Sequence, residues 1–398
     1  MVAAVRRGLW PLRLYYLASF AALGAYLPYF PRWLAARGIE GIELGAIIAT
    51  SPAMGLLAPP LWGMLADALG LRGAVLRVAC AGSFVAFAAL SLLCVLGVPL
   101  GFTALFAIVI AYAAFRSPMI MMADVVALET VKATGASYGK LRLFGSVGFL
   151  VASVAVGRLL DAKELVPLPV AMAGGLLLSL ACAWTLPAKG APPASPALEG
   201  ARGLLEHRAF PFFLGATFLG QIGHSCYDLC FSLHLADLGA EGPLIGVAWA
   251  LGVLVEIGLM ASAKLLLDRF RAPTLCLVAL IGATARWALL SGVRSLPLVL
   301  ALQPLHALSF ALFWVAALAY IRKAAPHHAL ATAQGLFSAA TAAGSVVGML
   351  CWGPLYRRSG GHVAFGVAAL TALFSVVAGV VWRARSYGAS PEGVTDGA

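Results

Sequence analysis

Apolar residues run through almost the whole chain in long stretches, and this feature constrains the fold more than any other. Between clusters of charge and breaks at Gly or Pro lie twelve stretches, each near the roughly 20 residues that a helix needs to cross a bilayer. Only 11% of the 398 residues are charged, less than half of what soluble domains carry. This balance excludes a soluble enzyme, a disordered protein and a nucleic-acid-binding protein, and it predicts an all-α polytopic membrane protein. The predicted spans are 12–36, 42–66, 74–96, 100–123, 140–160, 166–186, 209–235, 243–267, 273–293, 296–321, 329–353 and 362–382.

A Pro- and Ala-rich segment divides the twelve predicted spans into six and six. We therefore expect an N-terminal six-helix bundle over 1–186, a linker over 187–208, a C-terminal six-helix bundle over 209–385 and a disordered tail over 386–398. Most Lys and Arg residues fall on the side of the membrane that carries both chain ends, and such residues mark the cytoplasmic side. We expect a bacterial inner-membrane protein with both termini and the linker in the cytoplasm. The net charge of +11 is then an orientation signal.

The two halves align with each other when one is shifted by 201 residues. The matching pairs are Tyr26 with Tyr227, Phe30 with Phe231, Leu34 with Leu235, Gly38 with Gly239, Glu40 with Glu241, Gly45 with Gly246 and Asp67 with Asp268. Because an even number of spans separates the copies, the shift preserves the direction of every span. Two parallel repeats of this kind are the arrangement of major-facilitator transporters, in which substrate and coupling-ion sites lie near mid-membrane between the halves.

The turn after span 2 resembles the signature loop of that superfamily. The residues that fit its pattern are Gly63, Asp67, Gly70 and Arg72, whereas Ala68 and Leu71 depart from it. The copy in the second half keeps Asp268 and Arg269 but lacks the glycines. The resemblance implies a gate at the cytoplasmic face, and an ordinary solvated turn is the alternative.

Longer stretches resemble the phenylpropionate permease group of the superfamily and the related lactose permease. They are 15–30 in span 1, 138–149 in span 5, 251–256 in span 8, 285–287 in span 9 and 305–310 in span 10. Known members of the group are proton-coupled importers of aromatic acids, sugars or nucleosides. The resemblance implies alternating access by a monomer that takes a small-molecule substrate, with the proton as coupling ion and no other cofactor or metal.

Three acids and three arginines lie inside the predicted spans, where a central charge costs about 2.5–3.5 kcal/mol and marks a partner or a task. They are Asp124, Asp228, Glu256, Arg116, Arg142 and Arg286. An apolar setting favours the neutral form of a carboxyl group, so Glu256 is the predicted proton carrier. In lactose permease the matching Glu, Arg and His bind substrate and handle the proton, which implies that role for Glu256, Arg286 and His306. Since Ser309 stands where the sugar permease has a further carboxylate, Asp228 is a second candidate. A static Glu–Arg pair between helices is the alternative.

Arg142 and Asp124 are the counterparts of these residues in the first half. They match the arginine and the acid that grip the sugar in lactose permease. An arginine fork suits vicinal hydroxyls or a carboxylate, whereas the alternative is that Arg142 snorkels to the membrane surface. Arg116 either adds positive potential for an anionic substrate or pairs with a neighbouring acid, and the sequence leaves both open.

Polar side chains recur along one face of span 7, which indicates a helix that lines a cavity. They are Gln221, His224 and Asp228 at helical spacing, with Tyr227 beside them. On span 10, Gln303 shares a face with His306. Hydrogen bonding between helices is the alternative for each Gln. Tyr26, Tyr227 and Trp249 are candidates to stack on a substrate ring.

The sequence therefore predicts a proton-coupled importer of a small organic solute, with an aromatic carboxylate as the first candidate and a sugar or nucleoside as the second. An exporter or an uncoupled facilitator shares the fold, and a non-transporting membrane receptor is the alternative from another class. The Gly-x-Ser-x-Gly pattern at 135–139 falls in a loop before span 5, whereas a hydrolase needs it between a strand and a helix. We therefore expect no enzyme.

Overall fold

The computed structural model describes residues 9–69, 72–160, 167–186, 201–326 and 329–387, which are helical apart from short turns. Spans 1 to 9 are the helices Leu9–Ala35, Gly41–Leu69, Arg72–Val95, Phe102–Thr134, Tyr138–Leu159, Pro167–Trp184, Phe210–Asp237, Gly242–Ala261 and Ala272–Gly292. Span 10 combines the α-helix Leu296–Ala301, a π-helix at Ala307–Leu312 and the α-helix Phe313–Ala324. Spans 11 and 12 are the two parts of Leu330–Tyr387, on either side of a kink at Gly360. Two short helices, Ala201–Glu206 and Ala263–Arg269, precede span 7 and follow span 8.

Nine helices within the described residues are long and apolar enough to cross a membrane by length and composition. One of the nine, Leu330–Ser386, contains both span 11 and span 12. The two predicted spans outside this set are span 1 and span 7, which are long enough but less apolar than the others. Both carry polar and aromatic side chains that face the other helices, and this accounts for their lower hydropathy.

Several parts of the predicted domain plan lie outside the described residues. They are the linker segment 187–200, the tail 388–398 and Gly70 of the signature loop, together with the side chains of Asp67 and Arg72. Within the predicted linker the structure has the helix Ala201–Glu206, and the last helix continues to Tyr387.

The internal repeat is visible in the backbone of two equivalent turns. Span 1 and span 7 each end in a glycine with positive φ, at 77° for Gly38 and 88° for Gly239. In both turns the next residue donates its N–H to the carbonyl five positions earlier, from Ile39 to Leu34 and from Ala240 to Leu235. This is the hydrogen bond of a Schellman cap, in which glycine takes the left-handed position without a steric penalty from Cβ. The two halves therefore begin with the same helix and the same turn.

The bundle has two ends, which we name by the chain. The terminal face carries the start of span 1 at Leu9, the end of span 2 at Leu69 and the end of span 12 at Tyr387. The opposite face carries the turns 36–40, 238–241 and 357–361. Within the halves, span 1 packs on spans 5 and 6, and span 7 packs on the helix pair of spans 11 and 12. Between the halves, span 5 packs on span 8 and span 2 on span 11.

Spans 5 and 8 approach each other most closely at the opposite face. A Cβ added at Gly157 would overlap the carbonyl of Gly242, and one added at Gly242 would overlap the carbonyl of Gly157. At the terminal ends of the same helices, a Cβ added at Gly258 would meet open space, and one added at Gly139 would make only an ordinary 3.8 Å contact with Ser137 Oγ of the same half. Small residues let helix backbones approach in membranes, so this glycine pair closes the two halves together on one face only.

Polar contacts reinforce the closed side. The Tyr29 hydroxyl of span 1 lies 2.6 Å from the carbonyl of Ser153 and 3.0 Å from that of Gly242, in the other half. At the rim, Arg357 of span 11 lies 3.4 Å from Glu40 before span 2. Both side chains of this ion pair are largely exposed, so its contribution is small. The space between the halves is therefore closed at the opposite face.

Candidate functional site

A cavity of about 550 Å³ lies between the two halves. Spans 1, 2 and 5 form one wall, and spans 7, 8, 10 and 11 form the other. Eight residues predicted as site residues line it: Tyr26, Arg142, Gln221, His224, Asp228, Trp249, Glu256 and His306. Much of the remaining lining is apolar or aromatic, as in sites that bind small organic molecules.

The wall from the first half presents Arg142, with Asp124 of span 4 beside it but outside the cavity lining. Arg142 Nε lies 3.8 Å from Asp124 Oδ1, and about a third of each side chain remains accessible, 33% and 29%. Tyr16 donates a 2.6 Å hydrogen bond to the same Asp124 oxygen, and the Arg142 guanidinium lies over the Phe20 ring at 4.4 Å. The ring and the acid hold Arg142 toward the cavity, where a third of its side chain remains accessible for a ligand.

The wall from the second half presents two carboxylates, each beside a histidine. His224 Nε2 lies 3.8 Å from Asp228 Oδ1, one turn along span 7. His306 Nε2 of span 10 lies 3.7 Å from Glu256 Oε2 of span 8. The two histidine rings stack at 5.9 Å, and Phe310 stacks on both. The cavity therefore meets two carboxylate–histidine pairs on this wall.

Arg286 of span 9 is fully buried behind this wall and does not line the cavity. It donates hydrogen bonds to three groups on span 10: Gln303 Oε1 at 3.0 Å, His306 Nδ1 at 2.9 Å and Ser309 Oγ at 3.2 Å. Its guanidinium also lies 4.3 Å from the centroid of the Tyr227 ring. Arg286 and Glu256 form no direct ion pair, because His306 contacts both.

The contact with Arg286 fixes the tautomer of His306. A guanidinium only donates hydrogen bonds, so His306 Nδ1 must accept and the ring proton must sit on Nε2. That nitrogen faces Glu256. Protonation of His306 would place two donors against each other at Nδ1 and break its bond to Arg286. The three residues therefore form a chain in which the proton state of one affects the contacts of the next.

Besides Asp124 and Arg286, three further predicted residues do not line the cavity. Tyr227 and Gln303 are buried under it, with the Tyr227 hydroxyl 3.3 Å from Gln303 Oε1. Arg116 lies among the tyrosines of the first half, beside Tyr112, and its Nε has no hydrogen-bond partner among the described residues. No described acid lies within ion-pair distance of Arg116, so the predicted alternative of a neighbouring acid does not apply within the described part of the chain.

The second-half gate residues lie at the terminal face. Asp268 forms a 2.6 Å ion pair with Lys264 one turn earlier, with both side chains exposed. Arg269 lies over the ring of Phe270. In the first half, a Cβ added at Gly63 would meet open space. These contacts are local, as expected for residues on the face where the halves are apart.

Sequence reasoning missed an aromatic stripe on span 10 and its partners across the cavity. Phe310 and Trp314 line the cavity, four and eight residues after His306. Phe20 and Phe149 line it from the first half. The spacing of four on span 10 is the signal that predicts a shared face with His306. Tyr16, which binds Asp124, gave no comparable signal.

Comparison with known proteins agrees with this architecture. The family model described as "MFS_1 like family" matches residues 9–367. The maltose permease of Geobacillus stearothermophilus is 33% identical over 355 residues, covering 85% of this chain and 84% of that protein. The probable 3-phenylpropionic acid transporter of Escherichia coli is 26% identical over 371 residues, covering 91% and 94%. The crystal structure of the nucleoside transporter NupG superposes with a TM-score of 0.79 at 17% identity, covering 95% and 98%.

Proposed function

Since the chain belongs to the MFS_1 like family of transporters, we propose that it is a proton-coupled symporter of a small, ring-bearing organic solute. The observation that carries the proposal is that the two walls of the cavity hold different sets of charged residues. Arg142, with Asp124 beside it, is accessible on one wall, whereas on the other wall Glu256 contacts His306, which contacts the buried Arg286.

The proton would reside on Glu256. Its side chain lines the cavity and is 17% accessible, so it can exchange a proton with water there. Inside an apolar bundle the neutral carboxyl form is favoured, and His306 links Glu256 to the buried Arg286. Proton loss from Glu256 would leave a carboxylate facing the Nε2–H of His306, and this changes the contacts between span 8 and span 10.

The first candidate solute is an aromatic carboxylate. The planar guanidinium of Arg142 suits a carboxylate, and aromatic rings from both halves line the remaining space. The relative named as a probable 3-phenylpropionic acid transporter supports this choice. A solute ring would lie between Phe20 or Phe149 on one side and Phe310 or Trp314 on the other.

A sugar or nucleoside is the second candidate, and a specific observation favours it. Asp228 and Glu256 on the second-half wall face the cavity with acceptor oxygens, and hydroxyl groups donate well to carboxylates. The relative named as maltose permease supports this choice. The two candidates differ in charge, since an aromatic carboxylate is an anion and a sugar or nucleoside is neutral.

Transport into proteoliposomes tests the proposal. The purified full chain is reconstituted and offered labelled 3-phenylpropionate, maltose or uridine, with and without a proton gradient directed inward. We expect accumulation of one of these above its external concentration only with the gradient, and collapse of that accumulation on adding a protonophore. Equilibration of the solute without dependence on the proton gradient would show a facilitator instead. Efflux of solute from the vesicles driven by the inward proton gradient would show an exporter.

A further inference from the structure

Span 10 is broken beside the charged residues of the cavity wall. Its first α-helix ends at Ala301, and a π-helix occupies Ala307–Leu312 before α-helix resumes at Phe313. Between them, the N–H of Gln303 bonds to Leu300, and the N–H of His306 bonds to Gln303, both three residues back. Pro304 has no N–H to donate, which explains why a regular α-helix does not pass through this point.

The break leaves a carbonyl without its helical partner. In an α-helix, the carbonyl of Val299 would accept from the N–H of Gln303. Here that N–H is turned to Leu300, and the side-chain amide of Gln303 donates to Val299 instead, at 2.8 Å. A buried carbonyl without a partner costs free energy, so the Gln303 side chain stabilises the broken form of the helix.

The other end of the same amide binds the buried cation. Gln303 Oε1 accepts from Arg286 at 3.0 Å and lies within 3.3 Å of the Tyr227 hydroxyl. Gln303 is fully buried and does not line the cavity. The remaining acceptors of Arg286 are His306 and Ser309, which follow the break and lie at and inside the start of the π-helix.

We propose that Gln303 is a positioning residue that ties the break in span 10 to Arg286. Each end of its amide is engaged, one by the backbone before the break and one by the guanidinium. Arg286 in turn holds the residues after the break. The 302–312 segment and Arg286 are therefore expected to move together. Since π-helical segments occur frequently at functional sites, we infer that this segment is the moving part of the proton-coupling wall.

The proposal rests on the proposed function for its transport readout but has a second readout that does not. Hydrogen–deuterium exchange followed by mass spectrometry measures the opening of the 296–312 segment in the full chain without any solute. Two variants are expected to change the exchange rate of this segment in opposite directions. Gln303→Met removes the hydrogen bonds of the amide to Val299, Arg286 and Tyr227 at similar volume, and Pro304→Ala supplies the missing backbone N–H.

Two matched controls lie nearby. Gln334→Met makes the same chemical change at an exposed position of span 11. Pro297→Ala makes the same change as Pro304→Ala within span 10, but at the first turn of its helix, where a proline replaces an N–H that has no helical partner.

We expect exchange over 296–312 to become about tenfold faster in Gln303→Met, because the buried hydrogen-bonding partners of the amide are left unsatisfied. In Pro304→Ala we expect slower exchange there. Both variants should lose proton-driven accumulation of the solute found with 3-phenylpropionate, maltose or uridine, while the KM for its counterflow exchange stays within about twofold, as expected for a loss outside the binding contacts. The two controls should match the wild type in both readouts.

Other results would overturn the proposal. Unchanged exchange in Gln303→Met would show that the amide does not hold the break. Normal accumulation in Pro304→Ala would show that the break is not used, and a raised KM in Gln303→Met would make Gln303 a solute contact. If the wild type accumulates none of the three solutes, the proposed function fails for these solutes, and the exchange data still decide whether Gln303 holds the break.

Discussion

The two halves of the molecule are copies of one repeat, yet their cavity walls differ in how they hold charge. Tyr26 and Tyr227 occupy equivalent positions. Tyr26 lines the cavity, and its hydroxyl has no hydrogen-bond partner among the described residues. Tyr227 lies behind the other wall, with Arg286 over its ring and Gln303 at its hydroxyl. Both tyrosines are buried, but Tyr26 belongs to the cavity lining in one half, whereas Tyr227 is held in a hydrogen-bonded network behind the wall in the other.

We interpret this difference as separate roles of the two duplicated halves, solute contact in the first and proton coupling in the second. In the first half Arg142 and Asp124 each keep about a third of the side chain accessible. In the second half the cation is fully buried and has three acceptors on a single broken helix. Burial of a charge is stable only with such partners, and the partners make the network sensitive to any proton that enters it. Variants on each wall test this difference.

The largest effect is expected for Glu256→Gln. The amide keeps the shape of the side chain but carries no transferable proton, so proton-driven accumulation should be abolished while solute exchange down its gradient survives. Uptake with and without a pH gradient, together with counterflow, measures both in the same proteoliposomes. Asp228→Asn removes the other carboxylate of the same wall. Accumulation at the wild-type level in Glu256→Gln, with loss of accumulation in Asp228→Asn, would place the proton on Asp228 instead.

A smaller effect is expected for Arg142→Lys on the first wall. Lysine keeps the charge but loses the planar fork, so solute affinity should fall by about tenfold, equivalent to about 1.4 kcal/mol. Accumulation at saturating solute should persist, since coupling belongs to the other wall. Binding measured by thermal shift or by counterflow KM tests this. Unchanged affinity would remove Arg142 from the solute site, and lost coupling would erase the contrast between the walls.

Closure between the walls is expected to respond to Gly157→Ala. A methyl group at this position would overlap the carbonyl of Gly242, so the opposite face should open more often. Labelling of a single cysteine placed at Ser51, on the cavity wall, by an impermeant thiol reagent from that face should speed up several-fold. Gly139→Ala on the same helix, where the added methyl group overlaps nothing and has only a 3.8 Å contact with Ser137 Oγ, is the control. Equal labelling in both variants would contradict a glycine contact that closes this face.

The smallest effects are expected for the repeat-related tyrosines. Tyr26→Phe removes a hydroxyl with no partner among the described residues, so it should change solute KM by a few-fold at most and leave thermal stability unchanged. Tyr227→Phe removes a hydrogen bond to Gln303, and interhelical hydrogen bonds in membranes are worth about 0.6 kcal/mol on average. It should lower stability slightly and leave KM unchanged. The reverse pattern would mean that Tyr227, not Tyr26, faces the solute.

Much of this picture follows from the sequence because it depends on composition and spacing. The apolar stretches predict membrane helices, and the major-facilitator fold they predict is confirmed by the family match. The stripe of Gln221, His224 and Asp228 at helical spacing predicts a cavity-lining face, and all three line the cavity. The resemblance also placed Glu256, Arg286 and His306 together, and they lie together.

The tertiary structure alone decided which of the embedded polar residues the cavity reaches. Sequence spacing gives the face of a helix on which a residue lies, but not whether that face meets the cavity or a neighbouring helix. Helix rotation and packing settle this, which is why Gln303 and Tyr227 are buried while Phe310 and Trp314 line the cavity. Pro304 accounts for the break in span 10. Only the packed structure shows that the amide of Gln303 fills the gap and binds Arg286, because that contact joins residues of different helices.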